Sequence, residues 1–102
     1  MGTVAARSMI RQELQCVGFE EITVTGAAQA LTVPTRAMEA ICQVQGDQVR
    51  IRVDGTAPTA TVGLVLDDVD VVTVRGVTDL ANFQIILNSG ASTAKLACQY
   101  FG

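Results

Sequence analysis

The sequence contains one acidic cluster, formed by Asp67, Asp68 and Asp70. Paired carboxylates can act as general acid and general base, and carboxylate oxygens are also ligands for Ca²⁺. The spacing here lacks the carbonyl and bidentate-carboxylate pattern of a recognisable calcium loop. Acidic side chains at the entry to a strand usually solvate a turn. We therefore expect neither catalysis nor tight metal binding at this cluster.

Other residue types that carry chemistry lack partners in the sequence. The chain has no histidine, the commonest general base and metal ligand. Its serines have no recognisable activating partner, and its isolated glycines form no phosphate-binding loop. Cys16, Cys42 and Cys98 are odd in number, widely spaced and set among apolar neighbours, which predicts free, buried thiols in a reducing cytosol. The sequence thus predicts a non-enzymatic protein without a cofactor.

Length and composition predict one domain that associates with other chains. A chain of 102 residues is long enough to form its own core. Hydrophobic residues make up 49% of it and charged residues 17%, which is more apolar surface than a small domain easily hides, so we expect a homo-oligomer or a larger assembly. The net charge is −3 without a basic block, so no direct nucleic-acid binding is expected. No secretory or membrane-spanning segment is expected either.

The central part of the chain has the alternation of a half-buried strand. From Gln48 to Asp54, apolar and polar residues alternate strictly. A second alternating run extends from Met38 to Val44, and Gly46-Asp47 between the runs is typical of a tight turn. We therefore predict a central hairpin. The residues that follow, 55–63, predict an ordered loop without a catalytic group.

Further runs of β-branched and apolar residues predict additional strands. They cover Glu20–Thr25, Gln29–Val33, Leu64–Leu66 and Val69–Arg75, and a terminal hairpin pairs Phe83–Asn88 with Ala94–Phe101. One helical turn over Val77–Asn82, capped by Thr78, is expected between them. The fold class is all-β, an antiparallel two-sheet sandwich or jelly roll. The predicted core consists of Ile22, Val24, Cys42, Val44, Val49, Ile51, Val53, Val72, Val74, Phe83, Ile85, Leu96 and Cys98.

Residues 1–18 precede the first clear strand, so we predict an N-terminal arm over 1–18 and a β-sandwich domain over 19–102. The simplest interpretation of this segment is a frayed terminus. However, Ile10, Leu14 and Val17 are apolar, which favours an arm that packs on a neighbouring subunit. On the central strand, Arg50 and Arg52 share one face. An exposed polar face is favoured there over a contact patch for an acidic partner.

The stretch RVDGTAPTATVG at residues 52–63 is followed by an apolar strand, by Leu80-Ala81-Asn82-Phe83 and by a final hairpin. In this order of motifs, over about residues 20–102, the chain resembles small virion proteins of tailed bacteriophages. The resemblance implies a virion protein made in the cytoplasm of the bacterial host. It implies first a capsid cement or decoration protein that clamps neighbouring major capsid subunits.

Two other functions are compatible with the sequence. A tail, neck or fibre-base component of the virion would share the fold and composition, whereas a carbohydrate-binding module is less favoured because exposed aromatic residues are scarce. Under either virion function the partners are the major capsid protein or other virion proteins. The predicted contact residues are Ile10, Leu14, Val17, Arg50, Arg52, Thr56, Pro58 and Thr59.

Overall fold

The computed structural model describes residues 14–102, which form eight strands and one short helix. Each strand and the helix are numbered in chain order. They are β1 (Cys16–Val24), β2 (Gln29–Ala30), β3 (Glu39–Gly46), β4 (Val49–Arg52), β5 (Leu64–Leu66), β6 (Val71–Arg75), α1 (Val77–Asn82), β7 (Gln84–Leu87) and β8 (Ala94–Phe101).

The strands form two antiparallel four-stranded sheets. Sheet 1 has the order β1-β8-β3-β6, and sheet 2 has the order β2-β7-β4-β5. The pairs β4–β5, β3–β6, β2–β7 and β1–β8 are nested, as if the chain were folded in half at the loop between β4 and β5 and then rolled. This is the strand order of a jelly roll, and the predicted all-β sandwich is confirmed.

The predicted central hairpin is wrong. β3 pairs with β6 and β8 in sheet 1, whereas β4 pairs with β5 and β7 in sheet 2. The turn at Gly46-Asp47 therefore carries the chain from one sheet to the other. Gly46 has a φ of 107°, and a side chain there would place Cβ 2.7 Å from the carbonyl oxygen of Thr93. Glycine is thus required at this crossing as much as it would be in a hairpin turn.

The predicted terminal hairpin is also wrong, because β7 lies in sheet 2 and β8 lies in sheet 1. Their apolar faces do meet, but they meet across the interior of the sandwich. Ile85 of β7 and Leu96 of β8 are both fully buried. Alternation identified the buried face of each strand correctly and left the neighbouring strand undetermined.

Element boundaries differ from the prediction at three places. β1 begins at Cys16, so residues 16–18 belong to the sandwich and not to the arm. β2 contains two residues where five were expected, since the chain leaves the ladder before Pro34. The helix spans Val77–Asn82 as predicted, but its N-cap is Gly76 and no side chain caps it. At six residues, this helix is too short to cross a membrane, and the described residues contain no longer one.

The core lies between the two sheets and consists mainly of valine, leucine, isoleucine and small residues. Of the predicted core residues, Val53 and Val72 are half-buried against the core, and all the others are buried. Met38, the first residue of the predicted alternating run, precedes β3 and is 54% exposed. The prediction omitted several buried residues, which are Leu31, Ala37, Ala40, Leu80, Ala94 and Tyr100.

Tyr100 is the largest fully buried side chain. Its hydroxyl donates a hydrogen bond to the Glu20 carboxylate, which also accepts the backbone N–H of Thr32 at 2.9 Å. Burial, and then the hydrogen bond to Glu20, raise the pKa of the Tyr100 phenol. A tyrosine is tolerated in this core because its one polar atom has a partner.

Candidate interaction surfaces

The loop between β4 and β5 folds back over the outer face of sheet 2. Ile86 lies on that face opposite Arg50 in the β4–β7 ladder, yet it is only 7% exposed and does not belong to the central core. Pro58 in the loop is also buried. A Cβ atom added to Gly63 would lie 3.2 Å from Cβ of both Arg50 and Pro58. The loop therefore covers the outer face around Arg50 and forms a small second cluster there.

Arg50 holds this loop in place through its guanidinium group. Its Nε donates to the Asn88 side-chain oxygen at 2.7 Å and to the Ala60 carbonyl at 3.2 Å, and a terminal nitrogen donates to the Gly63 carbonyl at 3.0 Å. The backbone N–H of Ser89 also donates to the Ala60 carbonyl, at 2.9 Å. These contacts tie the loop to the end of β7 and use the Nε–H and one terminal nitrogen of the guanidinium.

Arg52 has a different environment although it lies on the same strand face. Its guanidinium forms a two-pronged ion pair with Asp54, whose carboxylate also accepts the backbone N–H of Thr56 at 3.3 Å. The hydrogen bonds from Arg52 lower the pKa of the Asp54 carboxyl. Asp54, Thr56 and Thr59 are exposed. Of the predicted contact residues in this region, Arg52, Thr56 and Thr59 therefore remain accessible, whereas Arg50 and Pro58 serve the loop itself.

The predicted contact residues of the arm are dispersed. Ile10 lies outside the described residues, and Leu14 lies just before β1. Val17 packs against the core of its own sandwich. The backbone of Gln15 exchanges two hydrogen bonds with Gly102, at 3.0 and 2.9 Å. The chain from Gln15 onward is thus joined to the last strand, and contact of the preceding residues with a neighbouring subunit stays a prediction.

The acidic cluster is used to build turns. Asp68 accepts the backbone N–H of Gly46 at 2.9 Å, and Asp70 accepts that of Asp67 at 2.7 Å. Asp67 in turn accepts a hydrogen bond from the Gln48 side-chain amide. Within residues 14–102, no three histidine, cysteine, aspartate or glutamate residues are grouped in a way that would hold a metal ion.

Apolar side chains are concentrated at one edge of the sandwich. A short connection leads from β5, an edge strand of sheet 2, to β6, an edge strand of sheet 1, and no described strand pairs with their outer sides. We call this surface the β5–β6 edge. A groove of about 410 Å³ lies beside it. The exposed apolar residues of the β5–β6 edge are Val62 (51%), Leu64 (67%), Val65 (43%), Val69 (65%) and Val71 (58%).

A second apolar area lies on the outer face of sheet 1. Phe19 and Ile41 are 62% and 43% exposed, and they flank Gln99 in adjacent strands. Cys16, next to them on β1, is exposed, so the prediction of a buried thiol is wrong for this residue and right for Cys42 and Cys98. Composition had suggested excess apolar surface, and the structure locates it at this face and at the β5–β6 edge.

We expect Arg50→Met to destabilise the protein by about 1–3 kcal/mol, because three carbonyl acceptors lose a charged donor while the alkyl stem remains. Amide exchange at Ser89 should accelerate as the loop detaches. Urea unfolding and amide hydrogen exchange measure the two effects. Arg52→Met is the matched control on the same face, and its free energy of unfolding should stay close to wild type. Equal effects of both substitutions would contradict the role assigned to Arg50.

Comparison of the chain with models of protein families, with curated proteins and with solved structures finds no match.

Proposed function

We propose that this protein is a non-enzymatic structural component of a bacteriophage virion, a capsid cement or decoration protein that clamps neighbouring major capsid subunits. The observation that carries the proposal is the β5–β6 edge. Edge strands that are unpaired on one side and carry exposed apolar side chains are templates for contact with another chain, and soluble monomers normally blunt such edges with charges or proline. Here Leu64, Val65 and Val71 are exposed on the two strands, and the exposed charges lie in the turn between the strands and at Arg75, the last residue of β6.

The motif that resembles phage virion proteins also has a structural role that fits this function. Its Asp54 and Thr56 shape the loop after β4, and Pro58 and Gly63 pack that loop on Arg50. The loop leads directly into β5, so the motif positions one of the two edge strands. Jelly rolls are common among viral shell proteins, and this analogy of fold supports the proposal.

The alternative is a tail, neck or fibre-base component of the same kind of particle. Such a protein would use the same edge against a partner arranged with lower rotational symmetry. The carbohydrate-binding module is less favoured, because sugar rings stack on exposed aromatic side chains. Among the described residues, Phe19 is the one aromatic side chain that is largely exposed.

Rebinding to virus particles tests the proposal. Capsids prepared without this protein, from the phage whose genome encodes it, are mixed with the purified chain and sedimented. We expect saturable binding to the shell and greater resistance of the shell to heat. Binding to isolated tails or necks in place of the shell would favour the alternative. Binding to neither would contradict the proposed function.

A further inference from the structure

Two of the three cysteines face each other in the interior of the sandwich. Cys42 of β3 and Cys98 of β8 are directly opposed in the antiparallel ladder at the centre of sheet 1. Both side chains are fully buried, and both thiols are free. Neither the loop nor the exposed edge involves this pair, so its chemistry is independent of the surfaces described above.

Backbone hydrogen bonds show whether Cys42 and Cys98 form a hydrogen-bonded or a non-hydrogen-bonded pair in the ladder. Val44 donates its N–H to Asp70 at 3.0 Å and accepts the N–H of Val69 at 2.8 Å, so its backbone groups point toward β6. The backbone groups of successive residues in a strand point alternately toward its two neighbouring strands. Cys42 lies two residues before Val44, so it also directs its backbone groups toward β6 and away from β8. Cys42 and Cys98 therefore form a non-hydrogen-bonded pair, the position at which opposed side chains are closest.

This geometry suits a disulfide bond between the two strands. Residues in a non-hydrogen-bonded pair have Cα atoms about 4.5 Å apart, and disulfides span roughly 4.4–6.8 Å. The two thiol groups also interact. A hydrogen bond with Cys98 lowers the pKa of Cys42, and that hydrogen bond together with burial raises the pKa of Cys98. Each thiol is therefore within reach of the other, as the second step of a thiol–disulfide exchange requires.

We propose that Cys42 and Cys98 are a site of reversible disulfide formation. In this reaction the thiolate of one of the two cysteines attacks a small disulfide and releases one thiol, and the other cysteine then attacks the mixed disulfide and releases the second thiol. Two protein thiols lose two protons and two electrons, and the small disulfide is reduced to two thiols. If the proposed function holds, the pair is reduced in the host cytoplasm and closes after the particle is released.

The bond would link the two central strands of sheet 1 and join residues far apart in the chain. A cross-link of this kind stabilises mainly by restricting the unfolded chain. Because neither sulfur is exposed to solvent, the reaction needs opening of the sheet or takes place during folding. The test therefore starts from unfolded protein.

The test uses the full chain with Cys16→Ala, which removes the exposed thiol. The reduced protein is refolded in mixtures of reduced and oxidised glutathione, quenched with acid, alkylated and digested with trypsin. We expect a linked pair of peptides, Ala37–Arg50 with Leu96–Gly102, and a melting temperature at least ~5 °C above that of the reduced protein. Native protein in which both thiols remain alkylatable, or a linked form with a lower melting temperature, would overturn the proposal.

Adding Cys98→Ala provides the control, which should yield only a mixed disulfide with glutathione. If that variant does not fold, the peptide map of the Cys16→Ala protein still decides the outcome. None of these measurements involves virus particles, so their result is separate from that of the rebinding experiment. Dissolving released virions in denaturant that contains the alkylating reagent, followed by digestion, tests when the bond closes. Free Cys42 and Cys98 in released virions would overturn closure after release.

Discussion

Phe83→Ala is expected to lower the free energy of unfolding by about 3–5 kcal/mol. Phe83 precedes β7 and is fully buried in the core between the two sheets, with Leu80 of the helix also buried. Removing the ring loses its transfer free energy and leaves a cavity that two hydrogen-bonded sheets cannot readily close. For a domain of this size, the loss is comparable to much of the total stability. Chemical unfolding followed by circular dichroism measures it.

Phe19→Ala is the matched control, because it removes the same side chain from a position that is 62% exposed. Its effect on stability should lie within about 0.5 kcal/mol, as for most surface substitutions. A large loss for Phe19→Ala together with a small loss for Phe83→Ala would mean that the assignment of inner and outer faces is reversed.

Lysine at the β5–β6 edge is expected to weaken binding to capsids strongly. Leu64 and Val71 are 67% and 58% exposed, so a lysine at either position should leave the fold intact. In a complex, burial of each apolar side chain contributes roughly 1.5–3 kcal/mol to the free energy of binding before ordering costs. A buried lysine adds a desolvation cost. Leu64→Lys with Val71→Lys should therefore weaken binding at least ~100-fold, as measured by the sedimentation assay.

Thr23→Lys is the control for this prediction. Thr23 is an exposed residue on β1, the opposite edge strand of sheet 1, and the substitution adds one lysine where the double variant adds two. It should bind capsids like the wild type. If the double variant melts normally and still binds normally, the contact surface lies elsewhere, with the outer face of sheet 1 around Phe19 as the next surface to test.

The sequence was most informative about which side chains face the core. In β4, Val49 and Ile51 are buried, and the arginines between and after them point outward, as the alternation predicts. The same alternation does not determine which strand pairs with β4 in the sheet. Gly46-Asp47 suits a hairpin turn and a crossing between sheets equally well, because both need a sharp reversal with a positive φ. Two hairpins were therefore predicted where the chain changes sheet.

The sequence was least informative where a contact depends on a distant segment. Arg50 and Arg52 have the same residue type on the same face, but only Arg50 meets the returning loop and Asn88. No local pattern separates the two. In the same way, the pairing of Cys42 with Cys98 follows from the register of β3 against β8, which the spacing of cysteines along the chain does not reveal.

Copy number per virion is the most direct test of the proposed function. Quantitative mass spectrometry of purified virions gives the ratio of this chain to the major capsid protein. A shell protein repeats with the symmetry of the capsid, so we predict hundreds of copies, in a simple ratio to the major capsid protein. About a dozen copies or fewer would indicate a neck or tail position, and absence from the virion would contradict the proposed function.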